Sequence, residues 1–308
     1  MRLIQHKREA YWFYRFLSLG YDRWINPLFW TPAMRTVALT PARLDDRALS
    51  VLDVGAGTGF TTEGIVERVD ATNVTMLDQS PHQLARSHRR TALAACRRVE
   101  GDAEALPFAD ASFDRYVSAG SIEYWPDPVR AIAEAHRVLR PGGIALVAGP
   151  LRPRHRVGRL LADTWMLFPE DEQYRAWFTA AGFVEVSAAY AAPQWHRGGP
   201  ASYGIAIAGM REEAVFGRAN GAAAAGAGER GGAPVSGAPG GGPPTAWPPA
   251  SGASAGAPTA ERLDAPLTGR EKLRFAGRFV AGSAAGAAFV PIAAALAARE
   301  RLVRRPRR

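Results

Sequence analysis

The sequence predicts an α/β fold: a doubly wound, mostly parallel sheet of seven strands, followed by a disordered linker and a C-terminal membrane helix. Three observations carry that expectation. Short apolar runs alternate with helix-like stretches through residues 46–216, the pattern of parallel strands covered by helices on both faces. The first run closes on a turn with glycine at every second position, Gly55, Gly57 and Gly59. Acids recur at or just past the ends of three successive runs, at Asp53, Asp78 and Asp102.

In chain order the strand-like runs are 50–55, 73–78, 97–102, 114–120, 143–149, 184–190 and 203–210. The helical stretches are 61–69, 81–95, 128–139 and 170–181. Ser80 before Pro81 marks a helix start, a hydroxyl to cap and a ring for the first turn. Asp127 before Pro128 repeats the device. No helix separates the last two runs, so the final strand should enter antiparallel as a hairpin partner. Ligands of such sheets bind beyond the carboxyl ends of the strands, where the strand order reverses.

The flanks read differently. Residues 1–45 hold nine aromatics within their first 30 positions, Tyr21 among them, interspersed with Lys7, Arg8 and Arg15. They predict a helical lid with a greasy acceptor channel beneath it. Residues 152–168 mix arginines with Leu160, Leu161 and Trp165, an insertion suited to a lipophilic ligand. Residues 217–264 are dominated by Gly, Ala, Pro and Ser and cannot bury enough apolar surface to fold, so they form a tether. Within 265–308, the 20 positions 279–298 carry no charge, long enough to cross a bilayer as a helix. Gly282 and Gly286 form a G-x-x-x-G there, which would allow two such helices to pair.

Composition excludes several classes. A single cysteine, Cys96, rules out a disulfide framework and a thiolate metal cluster, and no metal is expected. The net charge of +9 resides mostly in residues 270–308, where ten Arg or Lys face two Glu. A basic block beside an apolar run fits a membrane surface, and nucleic acid is not an expected partner. The first 15 residues are charged and aromatic, without the apolar core of a leader. The catalytic domain is expected in the cytoplasm, anchored to a membrane.

The chemistry lies in the acids and the turn. Glycine admits positive φ and lets a ligand approach the backbone where a Cβ would collide. A dinucleotide fingerprint needs glycine at its first, third and sixth positions, and the sixth here is Phe60. An acid two residues before G-x-G-x-G is instead the pattern of S-adenosylmethionine sites. Asp53 would face the amino group of the methionine part, Asp78 both ribose hydroxyls and Asp102 the adenine amino group, with the Ala103 amide on the ring. Gln79 and Ser118 complete the cofactor set. The loop after the fourth run, Ser121-Ile-Glu-Tyr-Trp-Pro-Asp-Pro128, would face the acceptor.

The chain resembles the 2-methyl-6-phytyl-1,4-benzoquinone methyltransferase family, through that loop and residues 5–16, 51–60, 73–84, 165–169 and 195–198. The resemblance implies a class I methyltransferase fold and a C-terminal membrane helix. It also implies transfer of methyl from S-adenosylmethionine to the ring carbon of a prenylated benzoquinol. The same cofactor site would equally serve transfer to oxygen or nitrogen of another lipophilic molecule. Substrate contacts fall to Tyr21, Ser121, Tyr124, Trp125 and Trp165. A base near the phenol is needed; Glu123 and His196 are the choices from a set that also holds His6, His82, His155 and Tyr124.

Overall fold

The computed structural model describes residues 29–154, 156–213 and 268–303. Seven strands form one sheet: β1 Val51–Val54, β2 Val74–Asp78, β3 Arg97–Glu100, β4 Phe113–Ala119, β5 Leu139–Pro150, β6 Phe183–Ala191 and β7 Gly204–Arg211. Their order is β3-β2-β1-β4-β5-β7-β6. Strands β1 to β5 pair in parallel, and β7 lies antiparallel between β5 and β6. The order therefore reverses between β1 and β4, which makes that boundary the switch point.

All four residues of β1 are buried, as expected of a central parallel strand covered on both faces. Register then aligns the strand tips. Asp53 pairs with Met76 of β2 and Val117 of β4, and Asp78 pairs with Glu100 of β3. The acids thus share one edge of the sheet in a stagger, Asp78 two residues beyond the partner of Asp53 and Asp102 two residues beyond the partner of Asp78.

The helices are α1 Pro32–Leu39, α2 Phe60–Val66, α3 Pro81–Ser87, α4 Pro128–Val138, α5 Arg156–Trp165, α6 Asp171–Ala180 and α7 Gly269–Val303. Helix α4 shows why the pattern works. Asp127 caps it through the Arg130 amide at 3.1 Å, Pro128 opens it, and Ala131, Ile132, Ala135 and Val138 are buried. Such a cap contributes about 1 kcal/mol, and burying Ile132 roughly 1.5–3 kcal/mol. Apolar clusters lie on both sides of the sheet, one around Leu52, Tyr116 and Tyr174 and one around Ile65, Met76 and Leu146.

Four expectations change. The helix read over 81–95 ends at Ser87, because Arg90 is extended and a short 3-10 turn, Thr91–Leu93, follows. Strand β5 starts at Leu139, directly after α4, four residues earlier than the apolar run suggested. The 152–168 insertion contains a helix, α5. The largest change concerns the C-terminus. Among the described residues no helix is long and apolar enough to cross a membrane, so the spanning assignment of 279–298 is withdrawn. The physical reason is composition and packing. Fourteen of those 20 residues are Ala, Gly, Ser or Pro, and α7 runs beside α5 with Gly282, Ala285 and Gly286 buried. The two glycines read as a pairing motif are covered within the monomer. The tether at 217–264 and the aromatic residues before Phe29 lie outside the described residues.

Candidate functional site

Beyond β1 the chain turns through Gly55, Gly57 and Gly59, all at positive φ (70°, 56° and 91°). Amides of Gly55 and Ala56 both donate to the Leu77 carbonyl, at 2.8 and 3.1 Å, so the turn is sewn to β2. Two of the glycines are needed for opposite reasons. A Cβ at Gly59 would sit 2.3 Å from Leu93 Cδ1, whereas one at Gly57 would meet nothing nearer than the Gly55 carbonyl at 4.0 Å. Gly59 admits the packing beneath the turn; Gly57 leaves open space above it. Gly55 abuts Ser121.

Asp78 terminates β2 and is half-buried. Its Oδ2 accepts from the Gly57 amide and its Oδ1 from the Ser80 amide, both at 2.8 Å. Burial pushes its pKa up to about 6, against the pull of those two amides, with Glu100 adding a further upward push. Each oxygen keeps a lone pair. Asp53 is 1% exposed. Its Oδ2 accepts from Thr62 Oγ1 at 2.6 Å, while Oδ1 is buried with no partner. Desolvation raises it to about 7, opposed by the Thr62 bond and assisted by the charge of Asp78. Asp102 follows β3, half-buried, its Oδ1 accepting from the Glu104 amide at 3.0 Å. Ala103 beside it is buried. Gln79 is half-buried next to Asp78.

Beyond β4, Ser118 Oγ and Ser121 Oγ share a hydrogen bond at 2.5 Å. A short 3-10 turn, Ile122–Tyr124, carries Glu123. That side chain is 7% exposed, and its Oε2 is buried without a partner. Desolvation pushes its pKa up to about 7. The segment after α5 closes over it: the Leu167 amide donates to the Glu123 carbonyl at 3.1 Å, and Met166 and Leu167 are buried. Tyr124 and Trp125 are also buried, Trp125 inside the main apolar cluster. Of these two expected substrate contacts, Trp125 is drawn into the core beneath α4.

His196 lies on the loop between β6 and β7. Strand β7 begins opposite Pro150 at the end of β5, so this loop returns to the same edge. The imidazole Nε2 is 2.9 Å from Ser202 Oγ, and burial lowers its pKa. Trp195, His196 and Tyr203 pack edge to face or tilted. Phe29 joins them against Trp195, and its carbonyl accepts from the Tyr203 hydroxyl at 3.0 Å. His82 is exposed on α3. Tyr21, His6 and His155 lie outside the described residues, as does the side chain of Trp165.

Thr62, the donor to Asp53, escaped the sequence reading. Its signal is its place on the first turn of the helix after the glycines, nine residues beyond the acid.

The residues present fit S-adenosylmethionine. Asp78 retains two acceptor positions, Asp53 a buried oxygen lacking a donor, and Gly57 open space where any side chain would intrude. Known proteins agree with the fold. Residues 52–147 match the methyltransferase domain family. Over 197 residues, 64% of this chain, it is 59% identical to 2-methyl-6-phytyl-1,4-hydroquinone methyltransferase 2, chloroplastic, of Oryza sativa subsp. japonica, covering 57% of that protein. Against the Arabidopsis thaliana 2-methyl-6-phytyl-1,4-hydroquinone methyltransferase, chloroplastic, identity is 58% over 197 residues, 64% of this chain and 58% of that one. The chain thus spans less than two thirds of the length of these relatives. A solved SAM-dependent methyltransferase from Thermotoga maritima superposes with a TM-score of 0.51 at 19% identity, over 66% of this chain and 100% of that one, which shows the shared fold. The chain has the class I methyltransferase α/β fold, matches the methyltransferase domain family over residues 52–147, and is similar to the 2-methyl-6-phytyl-1,4-hydroquinone methyltransferases over 64% of its length.

Proposed function

We propose that this protein methylates a ring carbon of a prenylated benzoquinol, with S-adenosylmethionine as donor. One observation supports it above the others: three acids and a glycine turn at the tips of β1, β2 and β3 stand beside a buried, unpartnered carboxyl on the turn after β4. The donor, when bound, supplies an electrophilic methyl group on a positively charged sulfur. Asp78 accepts the ribose hydroxyls, Asp102 with the Ala103 amide holds the base, and Asp53 Oδ1 faces the methionine ammonium.

Glu123 handles the acceptor's proton. A carboxyl whose pKa is pushed up to about 7 is well matched to take a phenolic proton at neutral pH. Removal of that proton enriches the ring carbon ortho to the oxygen, which is the nucleophile required. Glu123 is itself buried, as are Trp125, Met166 and Leu167, so alignment in a dry site contributes several kcal/mol, on the order of 7–11 at the limit. His196 and Tyr203 stand farther along the same edge, beyond β7, where they support the acceptor's far side.

A prenylated acceptor partitions into lipid. Leu160 (69% exposed), Leu273 (77%) and Val280 (66%) project from α5 and α7. Exposed Arg270, Lys272 and Arg274 lie among them. This mixture supports contact with an anionic lipid surface through helix faces.

The test is incubation of the purified full chain with labelled S-adenosylmethionine and a panel of demethylated prenyl-quinols, with products identified by mass spectrometry. A product methylated on carbon, with both oxygens free to reoxidise, is expected. Label on oxygen or nitrogen, or none in any quinol, overturns the reading.

A further inference from the structure

The glycine turn is held from outside by a side chain 32 residues away. Arg90, just after α3, donates through Nε to the Thr58 carbonyl at 2.9 Å and through Nη1 to Glu63 Oε2 at 2.5 Å. Its Cδ lies 3.5 Å from where a Gly59 Cβ would be. Glu63 stands in the first turn of α2. There Arg35 of α1 approaches the same carboxylate at 3.7 Å, donates to the Phe60 carbonyl at 2.8 Å and lies over the Phe60 ring.

We infer that Arg90 is a positioning residue for the cofactor turn, fixing the Thr58–Gly59 peptide so that the Gly57 amide stays on Asp78. This rests on the reading of the turn and Asp78 as the S-adenosylmethionine site. The argument is conformational. A peptide plane bordered by glycine flips at little steric cost, because φ on either side of zero is open to it. The Thr58 carbonyl is the peptide's handle, and Arg90 bonds it directly. Inside the turn, the Gly59 amide bonds the Ala56 carbonyl at 2.9 Å, and the Gly57 amide bonds Asp78 Oδ2 at 2.8 Å. A continuous path of hydrogen bonds and peptides therefore joins Arg90 to the carboxylate that holds the ribose. Glu63 fixes the guanidinium end of that path. Arg90 reaches the turn from the extended stretch that follows the end of α3 at Ser87.

The experiment measures S-adenosylmethionine affinity by calorimetry, and KM and kcat with the quinol acceptor, in the full chain. Loss of a charge-assisted hydrogen bond in Arg90→Ala should raise Kd and KM for S-adenosylmethionine about tenfold, leaving kcat at saturation within about twofold. Arg90→Lys should recover most of the affinity, since an ammonium reaches the carbonyl. Glu63→Gln should weaken binding less than Arg90→Ala, and the double variant should lose less than the sum of the two, because they share the Arg90–Glu63 contact. A lowered Tm with unchanged Kd and KM would make Arg90 purely structural and overturn the inference; so would additive effects of the two substitutions. Arg90→Lys and Glu63→Gln keep the test open where Arg90→Ala fails to fold. Wild-type chain that binds no S-adenosylmethionine overturns the site itself, whereas wild-type binding matched by Arg90→Ala overturns only the role of Arg90.

Discussion

Beyond β1, β2 and β3 the carboxyl edge is built from residues 53–102, where each acid accepts from at least one backbone amide or hydroxyl, and only Asp53 Oδ1 of the oxygens at Asp53 and Asp78 lacks a donor. Beyond β4, β5 and β7 it is assembled from four separate stretches, around residues 29, 121–125, 166–167 and 195–203, and its central carboxyl has an oxygen that meets nothing. The difference is instructive. A half that binds a fixed, charged ligand fixes its acids beforehand with donors. A half proposed to move a proton keeps its acid dry with no charged neighbour or side-chain donor among the described residues, so burial alone brings the pKa to the working pH, whereas at Asp53 the Thr62 hydroxyl opposes burial.

Glu123→Gln breaks the comparison most severely. The amide fills the same space and cannot take a proton, so kcat should fall by about 10²–10⁴-fold, with S-adenosylmethionine affinity unchanged by calorimetry. The variant should also be more stable than wild type at pH 8. Raised from 4.5 to about 7 in the fold, Glu123 binds its proton more tightly folded than unfolded. Stability is therefore lost as pH rises from about 4.5 through 7, and glutamine removes that loss. An undiminished kcat would shift the base to another group, His196 first.

Asp78→Ala tests the other half. It removes the acceptor of two backbone amides and of the proposed ribose hydrogen bonds, so Kd for S-adenosylmethionine should rise well over tenfold. Unchanged affinity would reject the ribose role.

The two halves also differ in how far they were legible beforehand. Asp53, the alternate glycines, Asp78 and Asp102 are separated by one strand or one strand–helix unit each, so period and spacing alone bring them to neighbouring tips. The antiparallel β7 was legible for the same reason, since no helix lies between it and β6. Glu123 could be named from its loop, but not its burial, which depends on Leu167 reaching back 44 residues to its carbonyl. Trp125 looked equally available in the sequence, and its packing under α4 is a tertiary choice that no spacing records. Arg90 was hidden because a helix pattern ran through it. The 279–298 run misled because absence of charge measures length without charge, and a helix of small residues packs against protein as readily as it enters lipid.

Lowering the pH should weaken cofactor binding in the first half before it touches folding. Asp78 and Asp53 are raised to about 6 and about 7, and binding of a cationic donor favours their ionised forms. From pH 7.5 to pH 5, Kd should rise at least about tenfold, the loss expected from protonating Asp78 alone, and more if Asp53 titrates with binding as well. The apo protein behaves oppositely. Both carboxyls hold protons more tightly in the fold than in the unfolded chain, so their contribution to apo stability declines as pH climbs from about 4 through 7. The increase in Tm caused by S-adenosylmethionine should accordingly grow with pH over the same range. A ligand-induced shift independent of pH would mean that neither acid titrates with binding.

Thr62→Val makes the smallest and most local change, and it asks whether the first half really depends on fixed donors. Valine keeps the branched shape on α2 and deletes the one hydroxyl that meets Asp53 Oδ2. That bond is what opposes desolvation at Asp53, so without it the pKa should climb further above 7. The cost therefore depends on pH. Near pH 5 the wild-type carboxyl is already protonated and little is lost. At pH 8 the wild type carries a buried carboxylate that the variant leaves without a donor, a penalty of about 1–3 kcal/mol, or a few degrees of Tm in a domain of this size. A loss equal at both pH values would show that Asp53 keeps one protonation state throughout, and that its donor does not set its charge across the range in which Glu123 titrates.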